Sequence, residues 1–209
     1  MFFTLDNVLY NGNLAFDIAK RVARGVRTLR AIGALSRSVI GYRSGISTMD
    51  ELVRAASGIF AGQPAAEVMA EACRAAGSLR HNLNPVALSV LERFQAQGVP
   101  IVIFSLAPTE TIHALLEPLA FTAFGSAVEV ENGLISQNVK LPIPYAGGKL
   151  LLAESFLARR SLQISQTAFY GASSADEPLL ASVGIPFCVN GSKRLARIAI
   201  ERGWMMYKV

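Results

Sequence analysis

The stretch Val99-Pro100-Ile101-Val102-Ile103-Phe104-Ser105 is a strand-length apolar run that ends on a hydroxyl. Gly98 precedes it and the helical pattern of residues 85–97 leads into it. Such a run, rich in β-branched residues, reads as a strand buried on both faces. Towards the C-terminus the spacing predicts a helix over 109–119, a short strand near Phe121, and a hairpin over 127–139. That hairpin turns at Glu131-Asn132-Gly133, a sequence suited to positive backbone angles. A helix over 149–159, a strand over 167–170, a helix over 177–183, a strand over 186–189 and a helix over 192–201 follow. Strands alternating with helices imply an α/β protein built on a Rossmann-like parallel sheet covered on both faces.

Towards the N-terminus, residues 1–6 read as a short buried strand, and residues 7–12 as a polar turn. From Leu14 the period becomes helical. Leu14, Ile18, Val22, Val26 and Leu29 share one face, and Lys20, Arg24 and Arg27 share the opposite one. Further helices are expected over 48–60, with Asp50 and Glu51 favoured in the first turn, and over 64–76, with Pro64 near the start and Gly77 past the end. Residues 13–82 therefore read as a helical cap inserted between the first two strands of a core made of 1–12 and 83–209.

The chain of 209 residues is 52% hydrophobic and 17% charged, which suits a globular protein with a large core. No apolar run approaches the roughly 20 residues a spanning helix needs, so no membrane span is expected. Asp6 interrupts the first apolar run and no basic segment precedes it, which argues against a signal peptide and for a cytoplasmic protein. Cys73 and Cys188 lie far apart, outside any disulfide or zinc spacing, and are expected to be free thiols. His81 and His113 lack metal-ligand spacing. Trp204 is expected in the core.

The formal charge is +5, and no acidic residue occurs between Asp17 and Asp50. Lys20, Arg24, Arg27 and Arg30 form its most basic portion. A solvated helix face is the first reading. A surface that meets an acidic protein partner or an anionic membrane is the second, and a homodimer also fits the high apolar content. Nucleic-acid binding is not expected, because no base-reading motif accompanies the charge.

In a parallel sheet ligands sit beyond the C-terminal strand ends. Thr4 and Asp6 arrive there from the first strand, on one face if the strand extends to Asp6. Ser105 arrives from the second. Lys149 follows Gly147-Gly148 at a helix start, and Gly171-Ala172-Ser173-Ser174-Ala175-Asp176 follows the later strand. A hydroxyl, an ammonium and free helix amides suit a phosphate-sized anion, which makes Ser105 and Lys149 the candidate anion-binding pair.

These residues resemble, in order, the four motifs of the haloacid dehalogenase superfamily, and most closely its phosphoserine-phosphatase-like branch. Thr4-Leu5-Asp6-Asn7-Val8-Leu9 matches the first motif, Ser105 the second, Lys149 the third, and Gly171 to Asp176 with Glu177-Pro178-Leu179-Leu180 the fourth. The resemblance implies an aspartate nucleophile and magnesium, and here the sequence departs. Thr4 stands at the nucleophile and Ala172 at a magnesium ligand. Threonine is a poor hard-metal ligand beside a carboxylate, and alanine has no donor. The expectation is a degenerate site of Thr4, Asp6, Ser105, Lys149, Ala172 and Asp176, with no cofactor. Asp6 and Asp176 remain as weak metal candidates, and magnesium is expected only if activity survives. Lys149 is expected to pair with Asp6 and Asp176, Ser105 to cap a helix, and Asp176 to cap the helix at Glu177. A binding or partner protein is the leading reading. A hydrolase of small phosphomonoesters with altered chemistry is the alternative.

Overall fold

The computed structural model describes residues 1–22 and 48–208. Six strands form one parallel sheet in the order β3-β2-β1-β6-β7-β8: β1 (Phe2–Thr4), β2 (Val102–Pro108), β3 (Thr122–Ser126), β6 (Ala168–Gly171), β7 (Ile185–Val189) and β8 (Met205–Tyr207). The chain runs from β1 to β2 on one side of it and reaches β6 on the other. That reversal leaves a crevice at the C-terminal end of β1.

Alternation along the strands sorts the core into two layers. Phe3, Ile103 and Ala107 face one cluster, with Leu14, Ile18 and Val22 of α1 (Leu14–Val22), Ala72, Ala75 and Ala76 of α3 (Ala65–Gly77), Ala87 and Leu91 of α4 (Pro85–Ala96), and Ile112 and Leu115 of α5 (Thr109–Leu116). Phe2, Val102, Phe104 and Phe169 face the other, with Ala153 and Phe156 of α6 (Gly147–Ala158), Leu179 of α7 (Glu177–Leu180) and Leu195 of α8 (Lys193–Arg202). Burying each such Leu, Ile or Phe contributes about 1.5–3 kcal/mol before entropy is counted.

The helix ends follow their sequence signals. Thr48 and Glu51 form a reciprocal capping box on α2 (Met49–Ser57). The Asn84 side chain accepts the Val86 and Ala87 N–H groups at the start of α4. Asn132 (φ 51°) and Gly133 (φ 80°) turn the hairpin of β4 (Val128–Glu131) and β5 (Leu134–Val139). That hairpin holds the link between α2 and α3 by backbone bonds: Gly62 N–H to the Ile135 carbonyl, Ile135 N–H to that of Gln63, and Ala65 N–H to that of Gly133. Between β1 and β2 every named element among the described residues is helical.

Three expectations shift. β1 ends at Thr4 rather than reaching Asp6, because Leu5 to Tyr10 turn back on themselves through N–H bonds of Val8, Leu9 and Tyr10 to the Leu5 carbonyl. β2 begins at Val102 and continues past Ser105 to Pro108. β8 was not expected; Gly203, left-handed at φ 66°, ends α8 and releases the chain into it. Trp204 is partly buried and packs against the second cluster. Both cysteines are free, and both histidines are exposed, with His113 stacked on Phe121. No helix among the described residues is long and apolar enough to cross a membrane. Of the basic surface expected around the first helix, only Lys20 lies within α1; Arg24, Arg27 and Arg30 fall outside the described residues.

Candidate active site at the end of strand β1

Thr4 is the last residue of β1 and points to the α6 side of the sheet, as Phe2 does two residues earlier. Lys149 stands in the first turn of α6, 5% exposed. The loop before it approaches so closely that a Cβ at Gly148 would overlap the Ile143 carbonyl oxygen. Ala146, in a sparsely populated conformation at φ 47° and ψ −124°, begins the helix. Asp176 follows β6 and is wholly buried. A side chain at Gly171 would place its Cβ 2.8 Å from the Asp176 Cβ, so glycine there lets the turn fold back.

These three side chains form a closed cluster. The Lys149 ammonium donates to the Thr4 hydroxyl at 2.9 Å and pairs directly with Asp176 Oδ1. The Thr4 hydroxyl donates to the same oxygen at 3.0 Å. Asp176 Oδ2 accepts the Ala172 N–H at 2.9 Å, the Ser173 N–H at 2.8 Å and the Ser173 hydroxyl at 3.2 Å. Burial alone would raise the Asp176 carboxyl. The Lys149 charge and hydrogen bond, with the Ser173 and Ala172 amides, outweigh it and hold the group below the ordinary aspartate value. One buried cation thus meets one buried anion, and the cluster is neutral.

Asp6 and Ser105 form a second, neighbouring pair. Asp6 Oδ1 accepts the Leu14 N–H at 2.8 Å, the first amide of α1. Oδ2 accepts the Ser105 hydroxyl at 3.0 Å, and Ser105 Oγ accepts the Ala107 N–H at 3.1 Å. Desolvation pushes the Asp6 carboxyl upwards. The Leu14 amide, the Ser105 hydroxyl and the Lys149 charge oppose the rise, and the Asp176 charge adds to it.

Several role assignments are corrected here. Lys149 pairs with Asp176 and Thr4, not with Asp6. Ser105 caps no helix, since the strand runs on through it. Asp176 sits at the start of α7 but makes no side-chain bond to that helix; its carboxylate turns back to the preceding loop. Ser173 was missed, although Ser173 and Asp176 have the i, i+3 spacing of a reciprocal cap, which was a legible signal.

Magnesium demands near-octahedral oxygen coordination, usually with one or two carboxylates free to bind it. Both oxygens of Asp176 and both of Asp6 already accept protein donors, and Thr4 and Ala172 bring no carboxylate. No group of three His, Cys, Asp or Glu among the described residues has the geometry to hold a metal. The donor set therefore does not fit a magnesium ion. The Thr4 hydroxyl meets the Lys149 amine nitrogen at 2.9 Å and Asp176 Oδ1 at 3.0 Å.

A doubly covered parallel sheet with these motif positions at its switch point defines a Rossmann-like α/β fold of the haloacid dehalogenase type. The chain belongs to the haloacid dehalogenase-like hydrolase family, whose model matches residues 1–181. It is 28% identical to phosphoserine phosphatase SerB1 of Mycobacterium tuberculosis over 108 residues, 51% of this chain and 35% of that protein. It is 27% identical to the inhibition of morphological differentiation protein of Streptomyces azureus over 148 residues, 68% of this chain and 51% of that one. The matched region thus spans about a third to a half of these relatives' length. Among solved structures, a protein of unknown function from Bordetella pertussis Tohama I superposes with a TM-score of 0.83 at 22% identity, over 98% of this chain and 96% of that one. A substrate-bound phosphoserine phosphatase superposes at 0.68 with 14% identity, over 94% and 88%. At such identities the structural likeness concerns the fold.

Proposed function

We propose that this chain is a non-hydrolysing member of its family, acting as a binding or partner protein on a retained phosphatase scaffold. One observation carries the reading: every oxygen of the Asp176 carboxylate is occupied by Lys149, Thr4, Ala172 or Ser173. In a metal-dependent phosphatase that carboxylate and its neighbours would serve the ion and the phosphoryl group. Here Lys149 is neutralised by its own protein, which also weakens the case for Ser105 and Lys149 as an anion site. A small anion would have to displace Asp176 first. A protein partner is the favoured ligand class, and the basic segment beginning at Lys20, with Arg24, Arg27 and Arg30, is its proposed contact. Residues 13–82 act as the cap and the protein works in the cytoplasm.

The alternative, a phosphatase of altered chemistry, draws support from Asp6. This carboxyl keeps the second aspartate position of the first motif, lies beside the Ser105 hydroxyl, and is pushed above the ordinary aspartate value by burial. Magnesium calorimetry on the wild-type protein, with a generic aryl phosphate assay beside it, separates the readings. Silence in both, with magnesium-dependent turnover gained by Thr4→Asp/Ala172→Asp, supports the non-hydrolysing reading. Wild-type turnover abolished by Asp6→Asn sinks it.

A further inference from the structure

Two insertions rise from the C-terminal edge of the sheet, where Thr4, Ser105, Lys149 and Asp176 lie buried: residues 13–82 between β1 and β2, and the β4–β5 hairpin between β3 and α6. They meet at the link between α2 and α3. Residues 62–65 run antiparallel to β5, with Pro64 opposite Leu134. The Ala65 N–H donates to the Gly133 carbonyl at 2.9 Å and the Ile135 N–H to the Gln63 carbonyl at 3.0 Å, on either side of that pair. The Gly62 N–H adds a bond to the Ile135 carbonyl at 2.8 Å. The link is thus a short third strand on the hairpin. Pro64 sits where the backbone faces away from β5, so its missing N–H costs no bond and closes the outer edge. α2 lies against the same strand, and Ile135 is buried although it belongs to neither core cluster. At the base of the cap, the Asn11 N–H bonds the Asn82 carbonyl and the Asn84 N–H that of Leu9, both at 2.9 Å.

We propose that this pairing is a clasp: the hairpin belongs mechanically with the cap, and the seam between 62–65 and 133–135 fastens the two across the Thr4 site. Covalent continuity holds the cap at its base, so the crossing segments 9–11 and 82–84 serve as the hinge. The far side depends on the seam. Three backbone bonds and one buried apolar side chain hold it, much less than holds either core cluster, and the weakest joint parts first. Entry to the end of β1 therefore follows the parting of this seam, and the hairpin is as much a part of the gate as the helices are. The inference uses the cap assignment but none of the chemistry of the site. Magnesium and phosphatase assays leave it untouched, so its failure and that of the non-hydrolysing reading are separate outcomes.

The test is amide hydrogen exchange on the intact protein. The Ala172 and Ser173 N–H groups, which bond Asp176 Oδ2, report on the site. The Val102 N–H, bonded to the Met1 carbonyl within the sheet, reports on the whole fold. In the wild type the site pair should exchange faster than Val102. In a Cys73→Ser background, Pro64→Cys/Leu134→Cys should close a disulfide on mild oxidation, since antiparallel partners that exchange no hydrogen bonds lie about 4.5 Å apart at Cα, within disulfide reach. Closure should slow the site pair by about tenfold or more, and reduction should restore the original rate. Ala65→Pro removes one seam bond at the first helical position, which suits proline, and Pro64 at ψ 117° already has the conformation that precedes one. It should quicken the site pair and leave Val102 unchanged. A double-cysteine protein that fails to close, a closed one with unaltered site exchange, or an Ala65→Pro protein that quickens Val102 as much as the site pair would each overturn the proposal.

Discussion

The hydroxyl of Thr4 donates to Asp176 Oδ1 over 3.0 Å, joining residues 172 positions apart in the chain. The bond ties the end of β1 to the loop after β6, and Lys149 completes it from α6. Three segments distant in the sequence are thereby joined at the C-terminal end of β1.

The first prediction concerns that joint. Lys149→Met leaves Asp176 buried without its counter-charge, and breaking one partner of a buried pair costs about 3–5 kcal/mol. Urea denaturation should show a correspondingly lower midpoint with an unchanged slope. Adding Asp176→Asn removes the stranded charge, so the double variant should recover a substantial part of the loss. If Lys149→Met unfolds at the wild-type midpoint, the pair contributes no structural support.

The two aspartates predict opposite pH effects. Asp176 is held low when folded, so its stabilising contribution is complete above the unfolded value of about 3.9 and disappears as pH falls through the folded one. Asp6 is raised when folded, so stability is lost as pH climbs from the unfolded value through the folded one. Asp6→Asn should therefore raise stability at neutral pH, relative to wild type, and flatten the curve just above the ordinary aspartate range. Ser105→Ala removes a bond that opposes the Asp6 shift and should move its carboxyl titration higher still. Carboxyl-carbon NMR through an acid titration would check both directions; a lower Asp6 value in Ser105→Ala contradicts the account.

Two glycines near the site should answer differently to alanine. At Gly171 the added Cβ sits 2.8 Å from that of Asp176, against a turn already packed on Leu180. Overpacking of this kind costs about 1–3 kcal/mol. At Gly147 nothing lies within 4 Å of the added atom, and a less flexible unfolded chain favours the substitution by about 0.4–1 kcal/mol. Thermal melts of Gly171→Ala and Gly147→Ala should move in opposite directions.

A fourth prediction follows from charge alone. Thr4→Asp without metal places a second carboxylate beside Asp176, where one lysine has to serve both. The melting temperature should fall in the presence of a chelator. Added magnesium should restore more of it in Thr4→Asp/Ala172→Asp than in the wild type, because only the double variant gains carboxylates free to bind the ion. Equal responses in both proteins would refute the account of the donor set.

The amino-acid sequence by itself determined the alternation of helices and strands and hence the parallel sheet, since buried strands such as Val102 to Phe104 and amphipathic helices such as Leu14 to Val22 carry their periods locally. It also determined which motif positions converge, and that Thr4 and Ala172 lack carboxylates. It left β8 hidden: three residues after a glycine carry too little period to read, and only pairing with β7 makes them a strand. The pairing of Lys149 with Asp176 was legible in the sequence, but tertiary structure decided the partners of Asp6 and Thr4. Where β1 stops settles that Asp6 turns to Leu14 and Ser105 while Thr4 faces Lys149 and Asp176. Spacing names the residues that reach a strand edge. Only the packed backbone fixes which lone pair meets which donor, because a difference of an ångström or two separates an open ligand from a satisfied one.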